Sequence, residues 1–487
     1  MINKGIIAKV IGALLMVLSG LMFTSLPFSF YFNENDSSAL VWSAVITLLV
    51  GGVLWWFNRA TDNKVAKREG YLIVTLGWLA IAVFSLLPFL LSGVFDNITN
   101  AFFESMSGLT TTGASVLTDI EAVPRGVLYW RSLTQWIGGM GIIVLTVAIL
   151  PLLGIGGVEL FVAEAPGPTS TKIHPRIKET AKRLWLIYVG LTILLSIILF
   201  LEGMTFFDAV NHGLTTMATG GFSTKNNSIA FYDVPLIQYT LTFFMFLAGV
   251  NYTIIYHGLT REFRKAWSSD EFKTYIIAVS SLIILVTMML QIQTDLSFEQ
   301  SFRDAAFQVV SVITTTGFVS ADYTAWSPVL TMLFFLLLFV GGCAGSTSGG
   351  IKIIRHLVLI KNSILEFKRL IHPNALLRTK IDKQLVAPKV LTHILIFLLI
   401  YMLTFFVGAI IMSVILHDFD QPLLTAFGSV ATSLGNVGPG IGGVGPVNNF
   451  AMIPDSGKWF LSFLMLLGRL ELFTVLILFM PYFWKTN

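Results

Sequence analysis

Long apolar segments constrain the fold of this chain more than any other feature of its sequence. A helix needs about 20 apolar residues to cross a hydrocarbon core of about 30 Å. Ten segments approach or exceed that length: 7–30, 39–58, 72–94, 130–153, 184–202, 235–257, 274–292, 328–351, 390–416 and 459–484. Only 12% of the 487 residues are charged, which is low for a soluble protein. The sequence therefore predicts an all-α polytopic membrane protein, and its first segment is too long for a cleaved signal peptide.

The distribution of basic residues predicts the orientation in the membrane. With ten spans and a cytoplasmic N-terminus, 25 of the 31 Lys and Arg residues fall on the cytoplasmic side. The positive-inside rule therefore places both termini in the cytoplasm. Sixteen of the 27 acidic residues, Glu104 and Asp208 among them, fall on the outer side, where they would attract cations. Five basic residues share that side: Arg125, Arg131, Lys225, Arg303 and Lys458.

A Thr/Gly stretch recurs four times along the chain. The four segments are 107-SGLTTTGAS-115, 213-GLTTMATGGFST-224, 309-VVSVITTTGFVS-320 and 429-SVATSLGNVGPG-440. Aligning their central glycines places Gly113, Gly220, Gly317 and Gly438 in register, so that one unit recurs about every hundred residues. The repeat predicts pore repeats at 71–160, 161–268, 269–388 and 389–487, and residues 1–70 before them hold the first two apolar segments.

A short helix-like segment precedes or overlaps each Thr/Gly stretch. These segments lie at 100–111, 207–219, 303–315 and 425–435. A dozen residues at ~1.5 Å per residue reach only about halfway across a membrane, so each segment predicts a re-entrant helix that ends at membrane depth. Non-helical backbone at that depth is tolerated only where protein or a water-filled path surrounds it. A ring of four such loops could replace the water around a cation with backbone carbonyls, since glycine permits the backbone conformations required.

A simpler interpretation of these stretches is helix packing. Runs of Gly, Ser and Thr often allow membrane helices to approach closely, and for any single stretch this explanation is preferable. Four stretches in register, each after a short helix on the same side, favour a pore.

The segment 341-GGCAGSTSGGIK-352 interrupts the eighth apolar run. Its glycine spacing resembles a phosphate-binding loop, but Lys352 comes one position too late and no soluble strand precedes it. A packing kink is another explanation, although five glycines in ten residues exceed what a kink needs and disfavour a helix. A flexible loop inside the membrane must be enclosed by protein.

Arg469 lies within the last apolar run, where an arginine is costly and indicates function or a buried partner. One interpretation is a structural clamp that holds the last helix through an ion pair or backbone carbonyls. Glu471 cannot pair with it on the same helix, because residues two apart face different directions. The other interpretation places the guanidinium below the ring of four loops, where it would oppose cation occupancy and bond the segment 341–352, here called the glycine-rich loop.

The motifs TTTGAS, ATGGFS, TTTGFVS and SLGNVGPG resemble the filter loops of the Trk/Ktr/HKT superfamily of potassium transporters. Further matches are 135-QWIGGMGIIVL-145, 341-GGCAGSTSGGIK-352 and 467-LGRLELFTVL-476. The resemblance covers the whole chain and is strongest to the membrane subunits of bacterial Trk uptake systems. It implies an N-terminal helix pair and four helix/pore-loop/helix repeats around a pseudo-fourfold pore.

The resemblance also implies the functional residues. The K⁺-binding filter would consist of Thr111, Thr112, Gly113, Ala218, Thr219, Gly220, Thr315, Thr316, Gly317, Asn436, Val437 and Gly438. The intramembrane gate would consist of Gly345, Ser346, Thr347, Ser348, Gly349, Gly350, Lys352 and Arg469. Sodium-favouring plant relatives carry serine at the position of Gly113, so the glycine here favours potassium.

The partners implied are a second copy of the chain and a cytosolic TrkA-type ring that binds NAD or ATP/ADP. The chain itself would need no organic cofactor, and no nucleic-acid partner is expected. Basic loops at 172–183, 261–273 and 352–389 would form the docking surface, although contact with anionic lipid headgroups explains their charge equally well.

The function predicted is potassium uptake across the bacterial inner membrane, with the filter side facing outward. A sodium-permeable or H⁺- or Na⁺-coupled cation symporter of the same fold is the alternative. An intramembrane enzyme would need paired aspartates, a Ser/Lys or Ser/His pair, or a metal motif within the spans. The single Cys343 and seven scattered histidines form no such motif, so neither an enzyme nor a transition-metal site is expected.

Overall fold

The structure, a computed structural model, describes residues 2–61, 65–144, 177–375 and 377–485. Its α-helices are α1 Lys4–Phe23, α2 Leu26–Tyr31, α3 Ser37–Phe57, α4 Lys67–Ser85, α5 Leu87–Leu91, α6 Ile98–Leu109, α7 Arg125–Val144, α8 Ile177–Leu201, α9 Phe206–Met217, α10 Pro235–Ala248, α11 Tyr252–Leu259, α12 Phe263–Trp267, α13 Asp270–Gln293, α14 Phe298–Ile313, α15 Pro328–Leu337, α16 Ile353–Ile371, α17 Pro388–Ile415, α18 Pro422–Gly435, α19 Asp455–Arg469, α20 Phe473–Leu476 and α21 Pro481–Trp484. Two short antiparallel strands, β1 Lys380–Ile381 and β2 Gln384–Leu385, form a hairpin. The predicted all-α membrane architecture is confirmed.

The N-terminal helix pair consists of α1 and α3, which cross at two glycines. A Cβ atom on Gly12 or Gly51 would lie within 2.8 Å of the other glycine's carbonyl oxygen. Small residues at such a crossing allow the two backbones to pack closely. The pair is also joined to the first repeat, because the carboxylate of Asp36 accepts the amide of Val127 at 3.0 Å in the first turn of α7, the positive end of that helix.

Each repeat contains a long first helix, a short pore helix and a second helix. The first helices are α4, α8, α13 and α17, and the pore helices are α6, α9, α14 and α18. Three pore helices begin at a polar cap: the side chains of Asn97, Thr205 and Ser297 accept amides of the first turn and stabilise the helix start. The fourth begins at Pro422, whose fixed φ suits the first turn of a helix.

Two of the second helices differ from the continuous spans predicted at 235–257 and 459–484, whereas the interruption of the run 328–351 agrees with the sequence prediction. Helices α10 and α11 meet at a bend of 108°, and Asp455–Arg469 meets Phe473–Phe479 at 110°. Helix α15 ends at Leu337, shortly before the glycine-rich loop at 341–352. Within the described ranges six helices are long and apolar enough to cross a membrane, or up to eight if each bent pair is one span.

The break between α19 and α20 coincides with two residues of unusual backbone conformation. Glu471 and Leu472 both have positive φ, 54° and 55°, a conformation that ends an α-helix.

Some sequence predictions fall outside the described residues. They are the end of the predicted span 130–153, the repeat boundary at 160/161, and Lys172 and Arg176 of the basic segment 172–183.

Candidate functional site

All four pore helices end in the same backbone turn. A left-handed residue, with φ between 53° and 55°, lies just beyond each pore helix: it is the second residue after the helix at Thr111, Thr219 and Thr315, and the first at Asn436. The next amide then donates to the carbonyl five residues earlier: Thr112 to Ser107, Gly220 to Thr215, Thr316 to Ser311 and Val437 to Thr432, at 2.8–3.0 Å. This is the Schellman helix end, which usually places glycine at the left-handed position. Threonine there is strained, because β-branched residues rarely adopt positive φ.

A second left-handed residue follows two positions later in every loop. These residues are Gly113, Gly221, Gly317 and Gly438, with φ of 82°, 77°, 79° and 103°. The sign of φ therefore alternates in the same way in all four loops.

This geometry corrects the register predicted for the second repeat. Gly221, and not Gly220, is the counterpart of Gly113, and the equivalent stretch is Thr219-Gly220-Gly221. Ala218, with φ of −74° and ψ of −12°, directly follows α9, and Thr110, with φ of −75° and ψ of 2°, has the same position after α6. Alignment of the four Thr/Gly stretches cannot choose between the adjacent Gly220 and Gly221, because either fits the Thr/Gly pattern. Only the backbone conformation distinguishes them.

The four loops contact one another in a closed ring. A Cβ atom added to any left-handed glycine would collide with a carbonyl oxygen of the next loop. The contacts are Gly113 with Gly220, Gly221 with Thr316, Gly317 with Val437, and Gly438 with Thr112. The order 1-2-3-4-1 is cyclic, so the repeats surround a common axis, and only glycine permits so close an approach.

The segments after the glycines repeat the same cyclic order. Their hydrogen bonds are Ile120 N to Asn226 Oδ1 at 2.7 Å, Ile229 N to Val319 O at 3.1 Å, Tyr323 Oη to Gly440 O at 2.7 Å and Phe450 N to Ser115 O at 2.8 Å. At the first of these contacts, the amide of Asn226 also donates to Asp119 at 3.0 Å and lowers the pKa of that carboxyl.

Several buried oxygens beside the ring lack a hydrogen-bond partner among the described residues. They include Thr111 Oγ1 and Asn436 Oδ1, which belong to equivalent positions of loops 1 and 4. An unpaired buried oxygen is costly, but a dehydrated cation can supply the missing interaction.

The glycine-rich loop lies directly against the pore loops. Thr347 Oγ1 donates to the carbonyl of Met217 at 3.0 Å, at the end of the second pore helix. The amide of Gly349 donates to Thr315 Oγ1 at 2.6 Å, and a Cβ on Gly349 would press on Asn436. Three of the four pore loops therefore contact this segment, and its side chains from Ser346 to Ser348 are buried.

The remaining predicted gate residues shape the loop instead of contacting the ring. Gly345 and Gly350 have positive φ of 74° and 66°, and Gly345 lies beside Asn251 in the bend of the second repeat. Val340 pairs with Ile351 where the chain enters and leaves the loop, and the ammonium of Lys352 donates to the carbonyl of Ser348.

Arg469 makes one contact that fits each of its two predicted roles, the gate residue and the structural clamp. Its guanidinium donates to the carbonyl of Thr347 in the loop at 2.9 Å and to the carbonyl of Gly138 in α7 at 2.6 Å. The first contact fits a role at the gate and the second fits a clamp. Glu471, which lies beyond the end of α19, pairs with Arg355.

Other residues around the site were not predicted. Gln135 spans the second loop, donating to Gly220 O at 2.7 Å and accepting from Phe222 N at 3.0 Å. Glu104 and Arg131, both assigned to the outer surface charge, are instead buried and form an ion pair at 2.7 Å. The sequence signal for this ion pair was the presence of charged residues in otherwise apolar repeats, since buried charges require partners.

Glu271 was also missed. One of its carboxylate oxygens accepts the amides of Ala344 and Ile354, at 2.7 and 3.2 Å, and these two residues flank the part of the glycine-rich loop from Gly345 to Gly350. A glutamate at the start of a span resembles an ordinary helix-terminus residue, so its sequence position does not indicate this contact.

Comparisons with known proteins agree with this arrangement. The family model described as TrkH, cation transport protein, matches residues 36–485. The Trk system potassium uptake proteins TrkH of Salmonella typhimurium and Escherichia coli K12 are each 40% identical over 483 residues, which cover 98% of this chain and 99% of theirs. The crystal structure of the potassium transporter TrkH from Vibrio parahaemolyticus matches with a TM-score of 0.89 at 36% identity, over 99% of this chain and 100% of that one. The chain therefore belongs to the TrkH family of cation transport proteins.

Proposed function

We propose that this chain is the membrane subunit of a potassium uptake system and that K⁺ passes through the ring of four pore loops. The observation that carries the proposal is the closed contact cycle of Gly113, Gly221, Gly317 and Gly438. Such a ring brings backbone carbonyls from four loops together, and carbonyls can replace the hydration shell of K⁺. The relatives that are named potassium uptake proteins support the same substrate.

The filter in this proposal uses the register of the backbone. It consists of Thr111-Thr112-Gly113, Thr219-Gly220-Gly221, Thr315-Thr316-Gly317 and Asn436-Val437-Gly438, with Ala218 one residue before it. The negative ends of four pore helices point towards the same ring and favour a cation there. The unpaired oxygens of Thr111 and Asn436 support a cation position at the base of the ring.

The gate in this proposal is the loop from Gly345 to Gly350, together with Lys352 and Arg469. The hydrogen bond between Gly349 and the filter residue Thr315 supports this role, since it joins the loop directly to the ring. Two positive side chains, of Lys352 and Arg469, bond the loop and would oppose a cation in the closed state.

The proposed setting is the bacterial inner membrane, with both termini cytoplasmic and the filter side facing outward. The partners proposed are a second copy of the chain and a cytosolic TrkA-type ring, with NAD or ATP/ADP bound by the ring. The basic segments 261–273 and 352–389 support docking on that side. The chain acts as a conduit without catalytic residues or an organic cofactor of its own.

Flux into liposomes tests the proposal. The purified chain should admit K⁺ and Rb⁺ faster than Na⁺, and a TrkA-type ring with nucleotide should change the rate. Uptake that persists when a protonophore collapses the proton gradient, and without Na⁺, indicates a passive path. Equal K⁺ and Na⁺ flux, or a strict requirement for either driving gradient, would instead favour the sodium-permeable or coupled symporter.

A further inference from the structure

Three of the four pore helices carry a hydrogen-bonding side chain at one equivalent position. Glu104, His212 and Gln308 each lie seven residues before the left-handed residue that ends their helix. All three side chains are fully buried. We refer to these three residues as the filter struts.

Each filter strut bonds a serine on the far side of its own filter stretch. Glu104 Oε1 accepts from Ser115 Oγ at 2.9 Å, His212 Nε2 lies 2.9 Å from Ser223 Oγ, and Gln308 Nε2 donates to Ser320 Oγ at 3.3 Å. The serines follow the left-handed glycines by two or three residues. Every strut therefore spans its filter stretch from behind, and the Schellman turn holds the other end.

The first two struts are themselves held in place. Arg131 pairs with Glu104 and also donates to the carbonyl of Ser223 at 3.0 Å, which joins strut 1 to loop 2. His212 Nδ1 lies 2.8 Å from the carbonyl of Asp208. A carbonyl can only accept, so Nδ1 carries a proton, and in neutral imidazole Nε2 accepts the hydroxyl proton of Ser223.

The fourth repeat reaches the same result differently. Ser429 occupies the equivalent position, but its hydroxyl donates to Ala426 O within its own helix at 3.1 Å. Loop 4 is held instead by Tyr323, whose hydroxyl donates to the carbonyl of Gly440 at 2.7 Å. Gly440 follows Gly438 by two residues, as Ser115 follows Gly113. All four filter stretches are therefore fixed at the corresponding point by a buried side chain.

We propose that Glu104, His212 and Gln308 are specificity-determining positioning residues that hold the filter carbonyls at the spacing required by K⁺. This inference rests on the proposed function of the ring as the filter. A loop held at both ends cannot contract around a smaller ion, whereas a loop released at one end can follow Na⁺ inward. The struts touch no ion themselves and act through the backbone they hold.

The test compares variants of the second strut in the full-length chain reconstituted in liposomes. His212→Leu removes both ring nitrogens at similar volume, and Ser223→Ala removes the partner without changing the pore helix. Each should lower the K⁺/Na⁺ flux ratio by roughly two- to tenfold, the effect of losing one neutral hydrogen bond. His212→Gln introduces the side chain that repeat 3 uses and should largely restore the ratio. Ser429 has the equivalent position in the fourth pore helix but bonds only its own helix. Ser429→Ala is therefore the matched control and should leave the ratio unchanged.

The results separate this inference from the function on which it rests. If folded Ser223→Ala and His212→Leu keep the wild-type ratio while Gly113→Ser lowers it, the ring is the filter and the struts do not set its selectivity. Lower total flux at an unchanged ratio also overturns the inference, because it shows a merely structural role. If Gly113→Ser leaves the ratio unchanged as well, the proposed filter itself is wrong. If His212→Leu fails to fold, Ser223→Ala and Ser320→Ala test the same inference, because each removes the partner of a strut. Both should lower the K⁺/Na⁺ ratio, and an unchanged ratio in both overturns the inference.

Discussion

The guanidinium of Arg469 donates a 2.9 Å hydrogen bond to the backbone carbonyl of Thr347, in the middle of the glycine-rich loop. The same side chain reaches the carbonyl of Gly138 in the first repeat. Arg469, at the end of α19, thus links the loop to α7, while Gly349 of the loop contacts Thr315 of the third pore loop. A displacement of α19 would therefore pull on the loop directly.

Gly113→Ser should weaken the preference for K⁺ over Na⁺. The residue has φ of 82°, which serine adopts only with strain, and its new Cβ would collide with the carbonyl oxygen of Gly220. That carbonyl must move, and the ring loses its spacing. Flux ratios measured in liposomes check this prediction, and an unchanged ratio in a folded variant would contradict the assignment of loop 1 to the filter.

Gly221→Ala and Gly220→Ala form a matched pair that tests the corrected register of the second loop. Gly221 has φ of 77°, and a Cβ there would collide with the backbone of Thr316. A Cβ on Gly220 would meet mainly the side chain of Gln135, which can move aside. Gly221→Ala should therefore reduce selectivity and thermal stability more than Gly220→Ala. The reverse order would support the register expected from sequence alignment.

Sequence patterns were sufficient to predict the repeated architecture. The apolar runs and the four Thr/Gly stretches predict the helix pair, the pore helices and their ends at membrane depth, since hydrophobic length and glycine content are local properties. The register of loop 2 was not predictable in this way. Gly220 and Gly221 are chemically identical, and the choice between them depends on the neighbouring loop.

The bends of the second helices in repeats 2 and 4 and the buried ion pairs, unlike the glycine-rich break in repeat 3, were beyond local patterns. The bend at Glu471 and Leu472 contains no proline, its nearest glycine, Gly468, belongs to α19, and the two residues that have positive φ are not glycines. Arg355 lies 116 residues from its partner Glu471. A single sequence carries no signal that links positions so far apart, whereas it does show that such charges need partners.

Deletion of three residues within 345–349 should raise flux and reduce its dependence on a cytosolic partner. The shortened loop can no longer place Gly349 against Thr315 or Thr347 against Met217, so the obstruction beneath the ring is removed. The filter is unchanged, and the K⁺/Na⁺ ratio should survive. Flux assays with and without a TrkA-type ring check this prediction. A folded deletion variant with ordinary regulated flux would rule out a gate at this loop.

Glu271→Leu should loosen both ends of the glycine-rich loop. The variant leaves the amides of Ala344 and Ile354 without their shared acceptor, and stability should fall on the order of 1–3 kcal/mol. Flux without a partner should rise, because the loop is no longer held. Glu271→Gln retains an acceptor oxygen and is the matched control. If Glu271→Leu and Glu271→Gln have equal unfolding temperatures and equal flux, Glu271 does not hold the loop.

Arg469→Ala distinguishes an electrostatic barrier from a structural clamp, since the two roles predict changes of opposite sign. At an effective dielectric of ~20, a unit charge about 6 Å from K⁺ costs on the order of 2–3 kcal/mol. If that barrier limits the rate, its removal should raise flux by roughly one to two orders of magnitude. The clamp predicts the reverse, because loss of the bonds to Thr347 and Gly138 would destabilise the fold and lower flux.

Flux and melting temperature should both be measured on one purified sample. Arg469→Lys is the control, because lysine keeps the positive charge but lacks the planar guanidinium that bonds two carbonyls at once. We expect Arg469→Ala to show higher flux with little loss of melting temperature, and Arg469→Lys to stay near the wild-type flux. Lower flux together with a clearly lower melting temperature in Arg469→Ala would establish the clamp. In that case the bond to Gly138 matters more than the charge, and the barrier beneath the filter must come from the loop itself.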